Sequence, residues 1–157
     1  MADIRFENRR FDPDLIDFHA IAKEMAKSVG YTARLSVPGP LAQLLRLRVS
    51  QLNPCSYCLI LHTQAAADQG IAPEKIAHLA SWRESELFSE AERAALAYCE
   101  ALTRYDLAAF PAAHDALAAY FDEKALAEIA AIVINMNLWT RLKLAQGATP
   151  VAARPEE

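Results

Sequence analysis

The clearest chemistry in this sequence comes from two thiols and an imidazole in the run Asn53-Pro54-Cys55-Ser56-Tyr57-Cys58-Leu59-Ile60-Leu61-His62. On an α-helix turning about 100° per residue, Cys58 lies about 60° from Cys55, and His62 about 20° from it on the same side. One narrow stripe therefore holds all three. Cysteines one turn apart can join in a disulfide, and Cys58 and His62 form an i, i+4 pair. With Asn53 as the N-cap, Cys55 falls in the first turn and Cys58 in the second. Unpaired N–H groups and the helix dipole there favour thiolate, the nucleophilic form of cysteine. By this geometry Cys55, nearer the helix start, is the more activated thiol. Zinc binding is the competing use of the three. Consecutive turns of one helix do not close a tetrahedron, so a fourth ligand would have to come from His19, His78, His114 or a neighbouring subunit.

The stripe needs a helix, and the surrounding pattern is helix after helix. Asp12 and Pro13 suit the start of a first one, with Leu15, Ile16, Phe18, Ile21, Ala22, Met25 and Val29 at helical spacing up to Gly30. Pro38-Gly39-Pro40 closes a connector. A second helix is predicted over 41–52, with Leu41, Leu44, Leu45 and Leu52 as its apolar side, and a third, carrying the thiols, over 54–69. A fourth runs from Pro73 to about Trp82. Ser89 and Glu92 form a capping box for a fifth, ending near Tyr105. A short sixth follows Pro111, and a seventh runs from Asp122 to about Ala145, stopped by Gly147. Residues 151–157 read as a frayed tail, and no segment alternates as an exposed strand would.

Composition agrees with this reading. The 157 residues include 32 Ala and only 4 Gly, a balance that favours helix over turn. Sixteen basic against twenty acidic residues leave a net charge of −4 and no basic cluster, which argues against nucleic acid as a partner. The uncharged stretch 129–140 is shorter than the roughly 20 residues of a membrane span and reads as a core helix. The first ten residues carry no secretory signal pattern, and three cysteines including a Cys-x-x-Cys pair suit a reducing compartment, with cytoplasm expected.

The run from Arg48 to His62 resembles the active-site signature of the AhpD-like alkylhydroperoxidases of the carboxymuconolactone decarboxylase superfamily. A second resemblance, Asn137-Leu138-Trp139-Thr140-Arg141-Leu142, lies in the late helix, and together they extend over residues 10–147. The resemblance implies one all-α, AhpD-like domain of about seven helices spanning 1–157, assembled as a homotrimer or homohexamer. It implies reduction of hydroperoxides without metal or organic cofactor. Cys58 would be the peroxidatic thiol, Cys55 its disulfide partner and His62 part of the proton relay, with a protein or lipoyl-type thiol or dithiol as reductant. The family relay includes a Glu twelve residues before the first cysteine, and Gln43 stands at that position. Glutamine can hydrogen-bond but cannot take a proton, so weak peroxidase turnover or a different chemistry is expected. Alternatives are a decarboxylase or lyase acting on a small carboxylated lactone, and a non-catalytic redox-sensing oligomer.

Other polar residues have simpler expected roles. Cys99 reads as a small buried hydrophobe, and Tyr57, His78, Trp82 and Trp139 as packing residues, with lining the site as the alternative for Tyr57. Arg46 and Arg48 read as surface or intersubunit ion-pair residues, with substrate binding as the lesser alternative. Gln43 read without the resemblance is as consistent with an exposed helical position as with a site. Asn135 and Asn137 are expected to hydrogen-bond between helices, because an unpaired buried amide costs about 1–3 kcal/mol.

Overall fold

Breakers and caps set the element boundaries in the computed structural model, which describes residues 3–154. Pro40 occupies the first turn of α2 (Gly39–Leu52), where its missing N–H is not needed. Asn53 ends that helix, and α3 (Ser56–Asp68) follows after a two-residue link. The capping box of Ser89 and Glu92 is formed and opens α5 (Glu90–Arg104), which stops at Tyr105 in a left-handed conformation. Asp122 Oδ1 accepts from Ala125 N–H to cap α7 (Glu123–Gln146), and Gly147, at φ 71°, ends it. Between these lie α4 (Pro73–Ala77), a 3-10 segment over Leu79–Glu84, and α6 (Phe110–Ala118). The described residues thus form seven α-helices.

Three expectations are corrected. The first predicted helix is split into a 3-10 turn at Pro13–Leu15 and α1 (Phe18–Lys27), because Ile16 adopts an extended backbone between them. Its apolar residues mostly face outward: Leu15, Ile16, Phe18 and Ile21 are exposed, and Ala22 alone of α1 is buried. The fold is also not purely helical. Strands β1 (Ile4–Asn8) and β2 (Ala148–Ala152) pair antiparallel, Ile4 opposite Ala152 and Asn8 opposite Ala148. Val151 and Ala152, expected in a frayed tail, are therefore strand residues, while 155–157 lie outside the described residues. The pairing joins segments some 140 residues apart, and Pro150 fits because β2 is an edge strand.

The third correction concerns α2. Every residue from Leu41 to Ser50 is buried, including Gln43, Arg46 and Arg48, so this helix is enclosed on all sides by α3, α5 and α7. Leu44, Leu45, Leu47 and Val49 meet Leu96 of α5 and Ile129, Ile132 and Val133 of α7 in the core. By length and composition α7 could cross a membrane, yet its central apolar side chains are packed in this core.

Arg48 is not a surface residue but half of a buried ion pair. Its Nε and Nη2 donate to Glu100 Oε1 at 3.0 and 2.7 Å, and Trp82 Nε1 donates to the same oxygen at 2.9 Å. Arg83 bonds the second oxygen. Burial pushes the Glu100 pKa up, but hydrogen bonds from Arg83, Trp82 and Arg48 outweigh it and leave the group below the usual carboxylate range. Glu100→Ala would strand the Arg48 guanidinium in the core. We expect it to destabilise the fold by about 3–5 kcal/mol, read as a lower urea midpoint at unchanged slope.

Candidate active site

Cys55 lies in the link between α2 and α3, and Cys58 in the first turn of α3. Asn53 precedes a proline and so leaves helical geometry, at φ −105° and ψ 87°. It is the C-cap of α2 rather than the expected N-cap of α3, and its side chain donates to Asn137 Oδ1 and Thr140 Oγ1 at 2.9 and 3.2 Å. Cys55 takes the N-cap position instead. Its backbone is extended, and its Sγ accepts the Cys58 N–H at 3.3 Å. This two-residue shift puts the sulfur itself where a capping oxygen usually sits, in line with the exposed N–H groups.

The Cys55 and Cys58 sulfurs are 2.7 Å apart, longer than the roughly 2.05 Å of a disulfide bond, so both are free thiols in close contact. Hydrogen bonding from the Cys58 side chain is the main cause that lowers the Cys55 pKa to about 7, with the Cys58 N–H and the Lys143 ammonium adding to it. The same contact, with burial, pushes Cys58 up, because its proton is held between the two sulfurs. The pair therefore releases one proton near neutrality and keeps the second. Iodoacetamide alkylation of the reduced protein is expected to accelerate as pH rises through about 7, followed as the rate of loss of one thiol. A rate that rises only near the ordinary cysteine pKa of about 8.5 would contradict this pairing.

His62 lies one turn beyond Cys58 on α3 and is buried, which with the nearby Arg46 charge lowers its pKa to about 4. It is neutral at physiological pH. Its Nδ1 is 3.1 Å from Tyr31 Oη and 3.3 Å from Gln43 Nε2. Gln43 is fully buried, not an exposed helical residue, and bridges the cluster: Nε2 donates to the His62 carbonyl at 2.9 Å, while Oε1 accepts from Tyr31 Oη at 2.9 Å and Arg46 Nη1 at 3.2 Å. Tyr31 Oη, which donates to Gln43, accepts from His62 Nδ1–H in one tautomer, and Gln43 Nε2 donates to Nδ1 in the other. Arg46, expected at the surface, is buried. It anchors the cluster by donating to Val29 O at 2.8 Å and stacking on the Tyr31 ring at 4.6 Å.

A cavity of about 380 Å³ opens onto this cluster, bordered by Cys58, His62, Tyr31, Arg46, Trp139 and Lys143. Its walls are mostly apolar, with Tyr57, Leu61 and Met136 adding to Trp139. Lys143 is half-buried over the Tyr57 ring at 4.2 Å, and desolvation holds its pKa below the usual lysine value. Tyr57 and Trp139 thus border the site as well as pack.

The structure brings Cys55, Cys58, His62 and Gln43 together. Sequence reasoning missed Tyr31 and Lys143, and it favoured the surface over the site for Arg46. Arg46 follows Gln43 by one helical turn and Lys143 follows Trp139 by one, so both were within reach of the spacing argument. Tyr31 sits in a connector with no pattern to mark it.

Among the remaining expectations, Asn137 does link helices, through Asn53 and through Thr103 Oγ1 at 3.1 Å. Asn135 instead accepts from Trp139 Nε1 within α7 and borders the cavity. Cys99 is fully buried, and burial pushes its thiol up to about 12. His19 bonds Asp14, His78 bonds Ser85, and His114 lies beside Tyr98 and Phe110, so none of the three joins the thiols.

A buried dithiol at the start of one helix, a neutral histidine one turn on and an apolar cavity beside Cys58 and His62 define a helical dithiol protein. Residues 18–101, just over half of the chain, match the carboxymuconolactone decarboxylase family, and the chain belongs to that family. It is 28% identical over 137 residues to the uncharacterized protein YdfG of Bacillus subtilis strain 168, a match covering 84% of this chain and 93% of that one. Its fold is similar to a crystal structure from Agrobacterium tumefaciens, a protein of unknown function described as an AhpD antioxidant-defence candidate. That match has a TM-score of 0.76 at 24% identity and covers 88% of this chain and 91% of that chain. It is also similar to a cysteine-to-alanine variant of the debrominase Bmp8 holding 2,3,4-tribromopyrrole, with a TM-score of 0.74 at 24% identity, covering 85% and 70% of the two chains.

Proposed function

We propose that this protein is a thiol-dependent oxidoreductase that reduces hydroperoxides with an apolar body, using Cys58 as the attacking sulfur and Cys55 as its disulfide partner. One observation carries the reading: Cys58 borders the apolar cavity while touching the Cys55 sulfur, whose pKa lies at about 7. The resting charge sits on Cys55, and a proton shift across the 2.7 Å contact moves it to Cys58. Cys58 thiolate then attacks the terminal peroxide oxygen, the O–O bond breaks, and the alkoxide leaves taking a solvent proton, for which the neutral His62 is a weak relay. Cys55 displaces hydroxide from the Cys58 sulfenic acid, which forms the disulfide and, with a second proton, water. The balance is one dithiol monoanion, one hydroperoxide and one solvent proton in, and one disulfide, one alcohol and one water out. A thiol or dithiol reductant resets the pair. The free dithiol suits a reducing compartment such as the cytoplasm, and the exposed apolar side chains of α1 suit contact between subunits of a homotrimer or homohexamer.

The test is thiol counting after one equivalent of cumene hydroperoxide. Loss of two thiols per subunit, with Cys99 retained, supports the reading, and no loss overturns it. The debrominase neighbour and the aromatic walls at Tyr57 and Trp139 favour one second reading, reductive debromination of a small aromatic. It consumes the same two thiols but releases bromide from a brominated pyrrole and leaves cumene hydroperoxide intact. Decarboxylation of a carboxylated lactone would persist in a variant lacking both cysteines, and oxidation with a changed oligomeric state but no turnover would mark a redox sensor.

A further inference from the structure

The thiol pair stands between two separate openings. Cys58 but not Cys55 borders the large apolar cavity, whereas Cys55 but not Cys58 borders a second pocket of about 180 Å³ on the side of β2. This second pocket is walled by Arg10, Ser56, Lys143, Gly147 and Thr149, and it exists because β1 and β2 are laid against the start of α3, where Phe6 packs edge-on to Tyr57 at 4.6 Å. The charged side chains bordering it are Arg10 and Lys143, both cationic, and among the described residues no carboxylate lines it. Arg10 is held in place by its bond to Leu144 O at 2.9 Å.

Thiol–disulfide exchange has a directional requirement. The attacking thiolate, the attacked sulfur and the departing sulfur pass through one line, so the attacker must approach from the side opposite the leaving group. Once Cys55 and Cys58 are joined, the second pocket offers that approach to Cys55, and the large cavity offers it to Cys58.

Resting on the proposed redox cycle, we infer that the two openings divide the cycle: the oxidising substrate reaches Cys58 through the large cavity, and an anionic thiol reductant enters through the β2-side pocket and attacks Cys55. In that step the reductant thiolate forms a bond to Cys55 Sγ, the Cys55–Cys58 bond breaks, and the electron pair leaves on Cys58 as thiolate. A second reductant thiol, or the second thiol of a dithiol, attacks the reductant sulfur of the mixed disulfide, releases Cys55 thiolate and departs as the oxidised reductant. Lys143, which borders both openings, faces the charge at every stage. The division also lets reductant bind without first clearing the product alcohol.

The experiment uses full-length protein oxidised with diamide, so it does not depend on hydroperoxide being the substrate. Reduction is timed with 3-mercaptopropionate, 2-mercaptoethanol and cysteamine, compared at equal thiolate concentration, and the mixed disulfide is trapped with iodoacetamide and mapped by mass spectrometry. The adduct is expected on Cys55 with Cys58 alkylated, and the anionic thiol is expected to outpace the cationic one by about tenfold. Arg10→Glu should erase most of that preference and Arg10→Ala about half of it, while the rate of Cys58 oxidation stays unchanged. An adduct on Cys58, or a charge preference indifferent to both Arg10 variants, overturns the inference. If hydroperoxides fail to oxidise the pair but reset follows this pattern, the hydroperoxide reading fails alone.

Discussion

Cys58→Ser is expected to lower hydroperoxide-dependent turnover by on the order of 10³-fold or more, to the level of the uncatalysed reaction with the reductant. Serine is nearly isosteric with cysteine, so the fold should be little changed although Cys58 is buried in the core. The hydroxyl is far too weak a nucleophile to replace a thiolate. Cys55→Ser should behave differently. It removes both the neighbouring thiolate and the hydrogen bond that push the Cys58 pKa up, so Cys58 remains oxidisable once. Its sulfenic acid then has no thiol to condense with and accumulates, and dimedone labelling of about one site per subunit should detect it. Turnover stops after that single event. The opposite pattern, with dimedone on Cys55 in the Cys58→Ser protein and none in Cys55→Ser, would exchange the two roles. The comparison is demanding because the resting negative charge lies on Cys55, at the helix N-cap. Cys58 is proposed as the reacting sulfur because it is the one that borders the large cavity.

Gln43→Glu is expected to raise kcat/KM for hydroperoxide by about 10²-fold, the lower range for a positioned acid–base group. In the native cluster the path from His62 ends at Tyr31 Oη, which burial keeps protonated well above neutral pH, and at an amide that cannot accept a proton. A carboxylate at position 43 would accept from Tyr31 and Arg46 as Gln43 Oε1 does now, and its charge would raise the His62 pKa from about 4 toward the ordinary histidine range. The imidazole could then hold the proton that the departing alkoxide needs. The substitution has a structural cost, because the His62 carbonyl loses the donor it has in Gln43 Nε2. An orphaned buried carbonyl costs about 1–3 kcal/mol, partly offset by the new ion pair with Arg46. Higher turnover at lower thermal stability is therefore the expected signature. If turnover is flat while the His62 pKa rises, proton delivery does not limit this enzyme, and the weakness assigned to Gln43 has another origin.

The thiol–histidine stripe was legible from spacing because its geometry is set within one helix. Cys58 and His62 lie about one turn apart within α3 and Cys55 caps its start, so the local segment 55–62 aligns them. The same holds for the capping box of Ser89 and Glu92, the Asp122 cap and the Gly147 stop. The element boundaries at Asn53 were less legible. Its amide suits a cap for the following helix, but its side chain is drawn instead to Asn137 and Thr140 on α7. A long-range contact decided that local choice.

Sequence alone determined that the protein is built largely from helices, that two thiols and an imidazole share one face, and that position 43, where the resemblance implies a relay Glu, holds an amide. Tertiary structure decided what those groups meet. It turned Arg46 and Arg48 inward because α2 is enclosed on every side, brought Tyr31 from a patternless connector onto His62, and paired β1 with β2 to create a second opening beside Cys55. The physical reason is the range of the forces involved. Helical periodicity and capping act over three or four residues and are written in the order of the chain. Burial and hydrogen bonding between distant segments depend on which faces are closed, and that is settled only when the helices pack.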